Sequence, residues 1–235
     1  MIHSHNLVLW RMPDGPERES IERGFAILKA LMEFRSEFAP NYVAVKRKRD
    51  AKEFNGELAD YENLVFENMN KEGKLVFPYL GSTFSLFSSM NERNSTGISL
   101  TVGMVNARFF NTLILSLPES YIADGGLHSP TTLELFKLCV RSFQPFWGAV
   151  INKSNVRRFG DLWAVEKPTT VHWMNYFDSK LAEKIGVERI QKAGLYRVEN
   201  LDDGLFLQIA EYPINDDSED DWKRQKQINS ALLLS

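Results

Sequence analysis

The sequence is poor in cysteine and has no long apolar run. Its 235 residues include one cysteine, Cys139, which has no internal disulfide partner and lies in the largely apolar stretch 135–140. No segment approaches the ~20 consecutive apolar residues of a membrane span, and residues 1–6 carry no basic region followed by an apolar one. These absences predict a buried, reduced thiol in a soluble, unexported protein that stays in the cytoplasm.

Neither sign of charge is in large excess, and the common catalytic motifs are absent from the sequence. Lys and Arg number 28 against 31 Asp and Glu, and the net charge of −3 argues against a generally basic nucleic-acid-binding protein. The chain has no Gly-x-x-x-x-Gly-Lys-Ser/Thr loop, no Gly-x-Ser-x-Gly elbow and no Gly-x-Gly-x-x-Gly turn. We therefore expect a protein that is not an enzyme and that holds neither a cofactor nor a metal.

Helical and strand-like periodicities follow one another along the chain without a Ser/Gly-rich linker or an internal repeat. With 43% hydrophobic residues over this length, the chain can bury a sizeable core. The predicted fold class is α+β, a single domain over residues 1–235 with an antiparallel or mixed β-sheet flanked by helices. Strands are predicted at residues 2–10, 42–45, 83–88, 98–104, 112–117, 146–151 and 171–177, and helices at residues 17–38, 56–69, 130–143, 179–185 and 222–234.

Two local signals are the strongest in the chain. Asp202-Asp203-Gly204 separates two strand-like runs, 195–201 and 205–209, and predicts a β-hairpin in which glycine accepts the positive φ of the turn. Ser129 and Pro130 predict a helix start, with the serine as N-cap and the proline at the first helical position. The three strands between residues 83 and 117 are expected to form an antiparallel meander.

Histidines offer two candidate sites. His3 and His5 would share one face of a strand, but no cysteine pair or further histidine accompanies them, so we expect no metal there. His172 lies in an apolar strand and predicts a buried structural imidazole. Its alternative is a general base that works with a nearby acid such as Asp178 in an enzyme with an unfamiliar pocket.

Residues Lys46–Arg49 form the one basic cluster in the sequence. Asp50 and Glu53 follow directly, so the cluster predicts the solvated end of a strand. Its alternative is a phosphate-binding patch of a regulatory or nucleic-acid-binding module, whose affinity would fall steeply with salt.

The most charged stretch of the sequence lies near its C-terminus. Residues 216–221 include five acids, and Trp222 follows them. An acidic rim beside a half-buried indole suits a basic protein partner, because opposite charge speeds association and aromatic anchors dominate interfaces. The alternative is structural, since acids stabilise the N-terminus of a helix through its macrodipole and through capping. Both interpretations can hold together.

The layout of the C-terminal part is more specific than these patterns. It consists of Trp173-Met174-Asn175-Tyr176-Phe177, a short amphipathic helix, a hairpin whose second strand runs through residues 204–213, the acidic stretch 215–220 and a terminal helix. Over residues 146–234 this layout resembles the Immunity protein 52 family of bacterial polymorphic toxin systems.

The resemblance implies an α+β cytoplasmic protein that binds and neutralises a cognate toxin, delivered through a contact-dependent or type VI secretion route. Toxins paired with this family often look like restriction-endonuclease-fold DNases, so the expected partner is a nuclease effector, with no direct contact to nucleic acid or membrane. Immunity proteins have no catalytic residues to transfer. The loops at residues 91–95 and 124–129 are alternative contact points. The candidate toxin-binding residues are Asp216, Asp217, Glu219, Asp220, Asp221 and Trp222.

Overall fold

The computed structural model describes residues 5–13, 17–106, 108–152, 163–164, 167–215 and 217–234. Within these ranges a ten-stranded antiparallel sheet carries the helices, which confirms the predicted α+β class. No helix in the described ranges is both long and apolar enough to cross a membrane. The helices are α1 Glu17–Phe34, α2 Leu58–Glu67, α3 Glu119–Ala123, α4 Pro130–Phe143, α5 Ser179–Ile185, α6 Val187–Lys192 and α7 Glu219–Ala231, with 3-10 turns at Lys48–Asp50, Glu92–Asn94 and Gly126–His128.

The main sheet has the strand order β13-β14-β12-β9-β1-β8-β7-β6-β2-β3. Two small hairpins, β4–β5 and β10–β11, lie outside it. The strands are β1 His5–Arg11, β2 Tyr42–Val43, β3 Lys52–Glu53, β4 Lys71–Glu72, β5 Leu75–Val76, β6 Leu80–Phe87, β7 Gly97–Met104, β8 Asn111–Ser116, β9 Trp147–Asn152, β10 Trp163–Ala164, β11 Lys167–Pro168, β12 Met174–Phe177, β13 Arg197–Leu201 and β14 Gly204–Gln208.

Strand β1 lies in the interior of the sheet. It pairs with β8 on one side and β9 on the other, so Leu7 faces Leu115 and Val150 in the two registers. Leu7 and Leu9 are fully buried, as expected for an apolar strand with neighbours on both edges. The meander β6-β7-β8 predicted from the sequence is present and joins β1 through β8.

One face of the sheet packs against α1, α2 and α4. Helix α1 contacts β7 and α4, and a Cβ at Gly24 would lie 2.2 Å from the Tyr61 hydroxyl oxygen, so glycine is needed where helix, tyrosine and sheet meet. The Tyr61 hydroxyl donates to the carbonyl of Ile21 at 2.8 Å. Cys139 on α4 is fully buried and free, which confirms the predicted burial of its thiol.

The opposite face of the sheet carries aromatic side chains on one half and hydroxyl side chains on the other. Trp10 and Trp147 stack on it with ring centroids 4.0 Å apart and an 8° angle between planes. Thr83 and Thr101 hydrogen-bond on the other half at 3.1 Å, in an exposed setting. One cross-strand row therefore runs from hydroxyl to aromatic side chains, through Thr83, Thr101, Thr112, Trp10, Trp147, Phe177 and Leu205.

Several predicted elements match the structure closely. Helices α4 and α5 have the predicted bounds, and Ser129 occupies the N-cap position of α4, although its hydroxyl donates to the carbonyl of Gly126 instead of capping. The predicted helix 17–38 ends earlier, at Phe34, and α7 begins at Glu219, three residues before its predicted start. Helices α3 and α6 and the hairpin β4–β5 were not predicted.

The predicted hairpin is strands β13 and β14, joined by Asp202 and Asp203. The expected role of its glycine is wrong, because Asp202 takes the positive φ, 51°, and Gly204 does not. A Cβ at Gly204 would instead lie 2.2 Å from the carbonyl oxygen of Phe177 and 2.7 Å from the hydroxyl of Tyr176. Glycine is required here by the close approach of β12, which the sequence does not show.

We expect Gly204→Ala to lower the free energy of unfolding by about 2 kcal/mol, because the new methyl group collides with the backbone of β12. Urea unfolding followed by circular dichroism measures this loss. Gly97→Ala is the matched control, since its Cβ would meet Ser116 at an ordinary 3.5 Å. Equal stability of the two variants would contradict the proposed reason for Gly204.

Candidate functional site

The acidic stretch forms the start of helix α7. Ser218 is the N-cap and accepts from the amide of Asp221 at 3.2 Å, while Asp221 accepts from the amide of Asn215 at 2.9 Å. Glu219 forms an ion pair with Lys223 one turn along, at 3.1 Å. Asp216 lies outside the described residues. The acids therefore do stabilise a helix N-terminus, as the structural interpretation of this stretch predicted.

Trp222 is half-buried, and the ammonium of Lys226 lies 4.0 Å from the centre of its ring. Asp217, Glu219 and Asp220 are exposed beside it. The structure thus brings the described candidate residues together at one end of α7. Their toxin-binding role stays a prediction.

Helix α7 is held to the rest of the protein by buried amide side chains. Asn229 accepts from the amide of Val171 at 2.9 Å and donates to the hydroxyl of Thr170 at 2.7 Å. Gln225 donates to the carbonyl of Val171 at 2.6 Å. All four residues are fully buried. Since buried hydrogen bonds are costly to break, this network holds the acidic end of α7 in one position.

A cleft of about 810 Å³ opens where β1 and β12 end and β9 begins. Its apolar surface comes from Met12, Phe110, Phe146 and Leu181, and the rings of Phe110 and Phe146 lie 5.2 Å apart. The first turn of α5 and the β13–β14 turn form its polar walls. Concave sites with an apolar floor and a few placed polar groups are typical of binding sites.

Asp178, Asp202 and Asp203 line this cleft together with Tyr176, and their carboxylates act electrostatically on its hydroxyl. The hydroxyl donates to Asp203 at 2.7 Å, and Asp202 lies 3.5 Å from the guanidinium of Arg141. Burial, together with these three negative charges, raises the pKa of the Tyr176 phenol above its usual range. The phenol therefore stays protonated and acts as a hydrogen-bond donor.

Positive charge also reaches the cleft. Arg11 is bound by Glu19 at 2.8 Å and by the carbonyl of Gln144 at 3.3 Å, and only 12% of its side chain is exposed. Its Nε is buried and has no acceptor among the residues that the structure describes. Lys180 and Lys184 on α5 also line the cleft and are exposed. The cleft thus combines carboxylates, a held guanidinium and two rim ammonium groups.

His172 is 1% exposed, and burial lowers its pKa to about 3, so its imidazole is neutral at pH 7. Its Nε2 has no hydrogen-bond partner in the described part of the chain. The structure does not join it to Asp178, which lines the cleft while His172 does not. Asp178 instead caps α5, accepting from the amide of Leu181 at 2.7 Å. The proposed His172–Asp178 pair is therefore not assembled.

The basic cluster lies at a solvent-exposed 3-10 turn. Arg47 pairs with Asp50 at 2.9 Å, Arg49 lies 3.8 Å from the same carboxylate, and Lys48 stands 4.9 Å from the ring centre of Phe87. His5 is buried in β1, and His3 lies outside the described residues. Across the described ranges, no three His, Cys, Asp or Glu side chains cluster in a way that could hold a metal.

The alternative contact loops lie near one another. Helix α3 contacts both the 3-10 turn Glu92–Asn94 and the turn Gly126–His128, so the two loops share one side of the molecule. Neither loop borders the cleft. The cleft itself was not predicted. Of its residues, Asp202 and Asp203 were predicted only as part of a hairpin turn, and Asp178 only as a possible partner of His172.

No family model matches the sequence, and no curated protein matches it. Among solved structures, the fold is similar to that of the Pseudomonas aeruginosa T6SS protein PA0821. The TM-score is 0.57 with 15% sequence identity, and the match covers 98% of this chain and 72% of that chain. At this identity the similarity shows a shared fold. The resemblance to Immunity protein 52 stays a prediction.

As the pH is lowered from about 6.5, we expect the free energy of unfolding to decrease by up to about 1.4 kcal/mol per pH unit. The reason is that His172 binds a proton in the unfolded chain but stays neutral when it is buried in the folded protein. This loss continues down to the folded pKa of about 3. Urea unfolding at several pH values measures it. His172→Gln should remove this part of the slope, whereas the exposed control His128→Gln should keep it. Equal slopes in both variants would contradict the assignment.

Proposed function

We propose that this chain is an immunity protein of a type VI secretion system. It binds a cognate antibacterial toxin and neutralises it by protein–protein contact, without catalysis of its own. The observation that carries the proposal is the fold shared with a T6SS protein over 98% of this chain. The C-terminal layout, which resembles Immunity protein 52, supports the same role independently of that fold.

The acidic end of α7 supports the expectation that the toxin is a basic protein. Asp217, Glu219 and Asp220 are exposed on a helix whose inner face is held by buried amides. A helix fixed in this way keeps its charges at one place on the surface, so they can speed the association with an oppositely charged partner. A nuclease, whose substrate site must be cationic to bind phosphates, would meet this surface favourably.

Such an inhibitor needs anchors as well as charge, because exposed ion pairs contribute little by themselves. Trp222 supplies a large half-buried ring at the edge of the acidic surface. The cation of Lys226 covers that ring in the free protein and would have to move or be included in the interface. The proposed mode is electrostatic steering followed by burial of this indole.

We expect the protein product of the reading frame next to this one in the genome to be toxic when expressed alone and harmless when co-expressed with this chain. Growth, chromosomal DNA integrity and co-purification of the two proteins are the measurements. Arrest with DNA loss, rescued on co-expression, would support a nuclease toxin. Arrest with intact DNA and full rescue would keep immunity and reject the nuclease. A harmless neighbour, or toxicity that this chain leaves unchanged, would reject the proposal.

A triple variant without the exposed acids of α7 should associate with that toxin about tenfold more slowly, or slower still, at low salt, because steering depends on local charge. The changes are Asp217→Asn, Glu219→Gln and Asp220→Asn. Stopped-flow or surface plasmon resonance measures the rate. The control changes Glu62, Glu67 and Glu72, which are also exposed, to Gln and alters the net charge equally. Equal slowing in both variants would assign the effect to net charge and not to α7.

A further inference from the structure

The cleft at the strand ends has a chemistry that the acidic end of α7 lacks. It is concave, it has an apolar floor, and its carboxylates are placed by secondary structure. We propose that the cleft receives a projecting loop of the toxin that carries one basic side chain. This inference rests on the proposed function and assigns the main anchor of the toxin complex to the cleft. The acidic end of α7 then guides the encounter.

The wall formed by Asp203, Asp202 and Tyr176 matches a guanidinium or ammonium group. Asp203 is exposed at the turn and is oriented by the Tyr176 hydroxyl, 2.7 Å away. Asp202 precedes Asp203 in the same turn, and its partner Arg141 is largely exposed, so an incoming cation can compete for the Asp202 carboxylate. Charge-assisted hydrogen bonds to oriented carboxylates are the strong ones, and arginine matches them best.

The floor explains why the cation should belong to a protein loop. Met12, Phe110 and Phe146 offer apolar surface in the same cleft as the carboxylates, and the aliphatic stem of an arginine or lysine packs on such surface. A simple cation has no such stem and would leave this apolar surface uncovered.

The rim sets a further condition on the partner. Lys180 and Lys184 are both exposed along one side of the cleft. They repel a uniformly basic surface, so the inserted loop carries a single basic residue flanked by neutral or acidic ones. This differs from the broad cationic surface that suits the acidic end of α7, and the two surfaces therefore contact different parts of the toxin.

The cleft is rigid enough to act as an anchor. Its walls are strand ends and first helical turns, with Tyr176 2% exposed and Leu181 buried. Preformed concave sites in which a partner side chain loses its water are where interface energy concentrates. An exposed charge run such as the start of α7 does not meet that condition.

The test measures binding of the purified toxin encoded next to this gene to three variants of the full chain. Ser179→Trp fills the cleft from an exposed position, and Asp203→Asn keeps an acceptor for Tyr176 while removing the charge. We expect the dissociation constant to rise about 30-fold or more for the first and about tenfold for the second. Ser230→Trp, also exposed and on α7, is the matched control and should bind as the wild type does.

Hydrogen exchange locates the contact in the same complex. The amides of α5 and of the β13–β14 turn should exchange more slowly when the toxin is bound, and thermal unfolding should show that each variant is folded. Binding of Ser179→Trp and Asp203→Asn within about threefold of the wild type would overturn the inference and leave the immunity function intact. Failure of the wild type to bind the toxin would overturn both.

Two other results would assign the cleft to a different occupant and overturn the inference. A dimer of the free protein that Ser179→Trp converts to a monomer would assign it to a second copy of this chain. A small molecule retained by the wild type in native mass spectrometry and lost in Ser179→Trp would assign it to a small ligand.

Discussion

The interior position of β1 is the constraint on which the rest of the structure depends. This strand pairs with β8 and β9, so it joins a meander built from the middle of the chain to a second set of strands built from its C-terminal part. Both halves of the sheet need its hydrogen bonds, and its stacked Trp10–Trp147 pair marks where they meet. The cleft lies at this junction because β1 ends at Arg11 beside the start of β9.

The C-terminal helix is then fixed by buried polar contacts as well as by apolar ones, such as the buried Ile228. Helix α7 has a mostly polar sequence, and buried Gln225 and Asn229 attach it to Thr170 and Val171. Such a network tolerates little displacement, because each broken hydrogen bond leaves a buried polar group unsatisfied. The same acids that stabilise the helix start therefore stand at a defined place on the surface, where they can also face a partner.

Local signals predicted the local structure well. The Ser129-Pro130 helix start, the helix beginning after Asp178 and the hairpin at Asp202-Asp203 all lie where residue chemistry places them. Predictions failed where longer-range contacts decide. The helix that ends at Phe34 was predicted to continue to Phe38, just before Pro40, yet Phe38 is buried in a turn after the helix. The glycine of the hairpin is required by β12, not by its own turn.

By itself, the sequence determined the α+β class, the meander, the buried thiol, and an acidic helix start near the C-terminus. Each of these follows from periodicity, composition or capping within a few residues. Tertiary structure alone decided the strand order and the cleft. Arg11, Phe146, Tyr176 and Asp203 come from four separate segments and meet only because the ends of their strands share one edge of the sheet. No short-range sequence pattern predicts that these residues lie together, since pairing between distant strands depends on the packing of the whole core.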